Sequence, residues 1–127
     1  MNIEEHRDKV NLINDIINYI CEDLKIKRPN VVELITSSKF SDENKSFGSY
    51  IPKQRKIILV IKDRNLADCL RTLVHELKHM SQDDNNTLSS DAGEDGDQYE
   101  NEANSYSGKM MREIGRLYPQ IYTLKFF

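Results

Sequence analysis

A chain of 127 residues with 38% hydrophobic and 31% charged side chains has the composition of a globular protein, with length for one modest core and not for two. No apolar run is long enough to span a bilayer, and residues 1–8 contain no apolar stretch before a small-residue cleavage site, so a soluble, cytoplasmic protein without a membrane partner is expected. The net charge of -3 is unevenly spread: eight acidic side chains and no Lys or Arg fall between residues 83 and 102, leaving 18 basic against 13 acidic elsewhere, too diffuse an excess to predict direct nucleic-acid binding.

From Ile3 to Leu24 the residues Ile3, Val10, Ile13, Ile16, Ile17, Ile20 and Leu24 recur at three- and four-residue steps, which predicts an amphipathic helix that Pro29 prevents from continuing. Val31–Thr36 is short and β-branched and reads as a strand, and the polar stretch Ser37–Ser46 reads as a loop. Phe47–Ile51 is a second short strand, suited to a sheet edge where a peptide can add alongside. Pro52–Arg55 then turns into the nearly continuous apolar run Lys56–Ile61, the expected central strand. A second helix is predicted from Asn65, its N-cap, to Met80, with Leu66, Leu70, Leu73, Val74 and Leu77 as its buried stripe.

Ser81–Asp97, rich in Ser, Asn, Asp and Gly, reads as a mobile surface loop, and its acidic side chains suit a lid or attraction of basic peptides. A third helix starts near Gln98, buries Tyr99, Ala103, Tyr106, Met110, Ile114 and Leu117, and stops at Pro119; the tail 121–127 is apolar enough to dock. Cys21 and Cys69 both fall in helical segments and read as buried free thiols of a reducing compartment. His6 reads as a plain surface residue. Residues 91–102 partly fit a calcium-loop template, but position 3 fails and no entering helix precedes them, so a solvated acidic loop is expected.

The chemistry is concentrated in His75-Glu76-Leu77-Lys78-His79. Imidazoles at i and i+4 lie one helical turn apart on the same side and can share one zinc ion. The same helix phase turns Leu73 and Leu77 to the core and the histidines to a cleft. Glu76 projects beside the metal, where it can take a proton from the attacking water and pass it to a leaving amine. A catalytic zinc needs a third protein ligand, and the third helix offers Glu100 and Glu102 on opposite flanks. Helix phase favours Glu100, because Asn104 lies one turn on from it and can accept the second N–H of a zinc-bound histidine, whereas Glu102 is followed at that spacing by the core residue Tyr106. A peptidase also needs an oxyanion-stabilising group, for which Tyr50, Tyr99, Tyr118 and Tyr122 are the candidates.

Gly48-Ser49-Tyr50, the strand Ile57–Ile61, Thr72-Leu73-Val74-His75-Glu76-Leu77-Lys78-His79 and the segment Tyr99–Met111, with its Glu100-x-x-Ala103-Asn104 core, together resemble the ImmA/IrrE-like metallopeptidases, small gluzincins related in site design to thermolysin. The resemblance covers roughly residues 47–111 and implies Glu100 as the third ligand and Asn104 as support for a histidine. Gly108 stands for the family's usual alanine, Lys78 for a frequent glycine, and no Met-Pro follows Met111. The resemblance further implies a protein substrate, such as a transcriptional repressor. Two other readings share the motif: an SprT-like protease, which uses a third histidine where this chain has a glutamate, and a zinc-stabilised binding or regulatory protein without turnover. The expectation is therefore an α+β, minimal zincin-like fold with an N-terminal helix, about three strands, an active-site helix and a C-terminal ligand helix, holding Zn2+ on His75, His79 and Glu100 with Glu76 as general base.

Overall fold

The computed structural model describes residues 3–37, 39–44, 46–85 and 96–122. Helix α1 (Ile3–Leu24) turns Ile13, Ile16, Ile17, Ile20 and Cys21 into the core. Its end is set by Lys25, which takes a left-handed conformation at φ 58. The Ile26 N–H then donates to the Cys21 carbonyl at 3.0 Å and the Lys25 N–H to that of Glu22 at 3.2 Å, the Schellman pattern that satisfies orphan carbonyls. Glycine usually occupies that position, and a Cβ there costs conformational energy.

Strands β1 (Val31–Ile35), β2 (Gly48–Ile51) and β3 (Lys56–Val60) form one sheet in the order β1-β3-β2. β3 is central, as its apolar run predicts; it runs parallel to β1, with Val31 opposite Lys56, and antiparallel to β2, with Gly48 opposite Leu59. β2 is an edge. The turn from β2 into β3 is a 3-10 turn at Pro52–Gln54 closed by Arg55 at φ 46. The Arg55 guanidinium donates to the Lys27 carbonyl at 2.7 Å and forms a bidentate pair with Asp84, at 2.7 and 2.9 Å. One side chain thus ties the hairpin to the α1–β1 connection and to the far end of the next helix.

Helix α3 (Leu66–Asp84) starts where expected, with the Asn65 Oδ1 accepting the Asp68 N–H at 3.0 Å. Helix α4 (Gly96–Leu117) packs along it, and Tyr106 and Tyr19 hydroxyls donate to Asp23 and Glu113 at 2.7 and 2.8 Å to tie α4 to α1. A 3-10 turn at Pro119–Tyr122 seats Ile121 in the core. The architecture is α+β, and one buried cluster draws on α1, β3, α3 and α4.

Four expectations are corrected. The loop assigned to Ser37–Ser46 contains a short helix, α2 (Lys39–Asn44). α3 continues past Met80 to Asp84, because Ser81 and Gln82 are buried and Asp84 is held by Arg55; tertiary partners outweigh the weak helix propensity of Ser and Asp. α4 begins at Gly96 rather than Gln98, so residues 96–102 of the calcium-like stretch are helical, while residues 86–95 of the presumed loop lie outside the described residues, as do 123–127 of the tail and the side chain of His6. Leu117 is 59% exposed, since the chain leaves the helix at Pro119 and Ile121 fills the core position instead.

Among the described residues no helix is long and apolar enough to cross a membrane, and Cys21 and Cys69 are free and buried. Lys25→Gly is expected to raise stability by about 0.5–1 kcal/mol by removing the Cβ from the left-handed position, readable as a higher urea midpoint at unchanged m-value.

Candidate metal centre

Leu66, Leu70, Leu73, Val74 and Leu77 are fully removed from solvent, and their burial fixes the rotation of α3 about its axis. That rotation leaves His75 and His79 half-buried on the flank facing α4, with side chains 18% and 13% exposed. From the start of α4, Glu100 reaches across to both. Its Oε1 lies 2.8 Å from His79 Nε2, its Oε2 3.2 Å from His75 Nε2, and the two Nε2 atoms are 3.1 Å apart. Ligands at about 2.0–2.1 Å from a tetrahedral zinc sit roughly 3.3 Å from one another, so the spacing fits. The two-nitrogen, one-oxygen donor set is also one that zinc accepts. Among the described residues this is the group of His, Cys, Asp and Glu able to hold a metal ion.

Glu102 has another position. Its Oε1 accepts from Gln82 Nε2 at 3.2 Å and pairs with Lys78 at 3.3 Å, and these partners, Gln82 foremost, hold its carboxyl below the usual range. Lys78 also lies over the Tyr106 ring, 5.2 Å from its centroid, so its ammonium is turned toward α4. Asn104 stands beside His75 and opposes the lowering of its pKa. Burial is the main cause that lowers the His75 pKa, with His79 adding to it and Glu100 and Asn104 opposing, which favours the neutral imidazole that a metal requires.

Glu76 is 8% exposed and points at the same space. Its pKa is raised from 4.5 to about 7, chiefly by burial, with His79 opposing and Glu100 reinforcing. The opposite wall is Gly48 of β2: a Cβ there would come within 2.5 Å of Thr72 Cγ2 and 3.4 Å of Glu76 Cγ, so the close approach of edge strand to helix requires glycine. An open cleft runs along β2 past this point. On one side of His75 and Glu76 it is lined by Tyr50, Pro52, Tyr99 and Glu100, and on the other by Phe47, Arg71, Thr72, Asn104 and Ser107.

Of the four tyrosines considered, Tyr50 and Tyr99 line the cleft, whereas Tyr118 packs on the core and Tyr122 donates to the Met111 carbonyl at 3.4 Å. Burial raises the Tyr50 pKa, and Asp83, a hydrogen-bond partner, adds to the rise. Sequence reasoning missed Gln82, whose Oε1 lies 2.7 Å from His79 Nδ1. It stands three residues after His79, one helical turn on, and becomes visible only once α3 is extended past Met80.

Two measurements test this geometry. Because Glu76 keeps its proton in the folded chain up to about pH 7 but loses it near 4.5 when unfolded, the folded state binds the extra proton across that window. Stability of the metal-free protein should therefore fall as pH rises from 4.5 to 7 and stay low above it, by on the order of 3 kcal/mol. Metal-free Glu76→Gln should melt higher than wild type at pH 8 and lose that advantage below pH 4.5. Gly48→Ala should destabilise the fold by about 1–3 kcal/mol through overpacking against Thr72 and Glu76, measured by denaturant unfolding.

Comparison of the chain with protein-family models, with curated proteins and with solved structures finds no match.

Proposed function

We propose that this chain is a zinc-dependent metallopeptidase of the ImmA/IrrE-like kind, with His75, His79 and Glu100 as metal ligands and Glu76 as general base. The observation that carries the reading is the convergence of three ligand atoms, all within 4.8 Å of one another, beside a buried carboxylate and an edge strand. A zinc ion held there would supply Lewis acidity, bringing the pKa of water near 7 and polarising a carbonyl.

The chain's own residues do the rest. A peptide segment adds along the open edge of β2, aligning one carbonyl over the triad and leaving room on both sides of it in the cleft. Glu76, poised near neutrality by burial, takes a proton from the attacking water and delivers it to the leaving nitrogen as the C–N bond breaks. Asn104 holds the His75 ring in place. Tyr50 and Tyr99, which line the cleft, are the candidates to meet the negative charge that develops on the carbonyl oxygen, Tyr50 only by releasing Asp83. Free buried thiols suit a reducing cytoplasm, and the resemblance suggests a regulatory protein such as a repressor as substrate.

The deciding experiment incubates zinc-loaded protein with a mixture of unstructured peptides and reads products by mass spectrometry. Glu76→Gln should keep one zinc per chain and cleave at least about 100-fold more slowly. Undiminished cleavage by the variant, or a wild-type chain that takes up no zinc, overturns the reading.

A further inference from the structure

Gln82 is 3% exposed, and its amide sits between the two helices that supply the proposed ligands. Its Nε2 donates to the Tyr99 carbonyl at 3.1 Å and to Glu102 Oε1 at 3.2 Å, and its Oε1 faces His79 Nδ1 at 2.7 Å. The amide has one chemically sensible orientation. Flipped, its oxygen would meet a carbonyl and a carboxylate, two acceptors, in a site where unmade hydrogen bonds are costly. With Nε2 committed to α4, the atom opposite His79 is an acceptor, and the imidazole must carry its proton on Nδ1. The Nε2 lone pair is then directed toward Glu100 and His75, where the metal would lie.

We infer that Gln82 is a positioning residue that locks His79 in its Nδ1–H tautomer and so presents Nε2 to the metal, with Glu102 and Lys78 locking Gln82 in turn. This rests on the metal-centre reading above and deepens it. It also gives Glu102, the rejected ligand, a function: its carboxylate, held 3.3 Å from the Lys78 ammonium, keeps the amide from flipping. His75 has Asn104 from α4 for its support, whereas His79 is supported from its own helix one turn on. Both histidines are thereby oriented through the contact between α3 and α4.

The test measures Zn2+ affinity by chelator competition, together with the ring N–H protons of the zinc-loaded protein by NMR. Wild type should show a His79 Nδ1–H in slow exchange. Gln82→Leu, apolar and of similar volume, should lose that protected proton and bind Zn2+ about 10- to 100-fold more weakly. Gln82→Met, unbranched and close to glutamine in shape, likewise removes the acceptor opposite His79 and should show the same loss. A folded Gln82→Leu with wild-type affinity and a protected Nδ1–H overturns the inference while leaving the metal centre standing. If Gln82→Leu does not fold, a folded Gln82→Met with wild-type affinity and a protected Nδ1–H overturns it instead. A wild-type chain that binds no zinc sinks both readings.

Discussion

Each leucine that α3 buries completely contributes roughly 1.5–3 kcal/mol, and the stripe from Leu66 to Leu77 commits the helix to one rotation about its axis. A turn of even one residue, 100°, would expose leucines and carry His75 and His79 away from α4. The histidines owe their direction to apolar side chains on the opposite face. Packing on α1, β3 and α4 together leaves α3 little freedom to adjust. The His75, His79 and Glu100 side-chain atoms, all within 4.8 Å of one another, are thus held together by packing on the far face of the helix.

The same burial sets the electrostatics. Glu76 is kept dry by β2, which Gly48 allows to approach within contact of Thr72 and Glu76. A carboxylate in that position destabilises the metal-free fold at neutral pH, while making the group a better proton acceptor there. Stability and the proposed chemistry pull in opposite directions at this residue, a conflict common at reactive sites. His75 feels the same burial with the opposite sign, as a base whose charged form burial disfavours.

The last turn of α3 is the most polar part of the helix, and its side chains are engaged in turn. Asp84 accepts both arms of Arg55, Asp83 meets the Tyr50 hydroxyl, and Gln82 joins His79 to α4. These contacts fasten the helix end to the hairpin, to the cleft wall and to α4. Arg55 does so from a left-handed backbone conformation at the turn, which aims its guanidinium at the Lys27 carbonyl as well. Polar side chains here carry the structural task that leucines carry in the preceding turns.

Local periodicity suffices for the elements in which it is strong: the isoleucine face of α1, the central β3, the leucine stripe of α3 with its Asn65 cap, and the pairing of His75 and His79 on one side of a helix. These are local regularities, and apolar burial enforces them whatever the rest of the chain does. Helix phase also ranked Glu100 above Glu102, but only as a preference. Whatever depends on partners distant in sequence came from the packing of the whole chain. It brought Glu100 rather than Glu102 to the histidines, extended α3 through Ser81–Asp84, exposed Leu117, and set Gln82 against His79. Polar residues such as Gln82 and Asp84 carry no periodic signal of their own, because a hydrogen bond depends on where its partner stands and hydrophobic spacing does not report that.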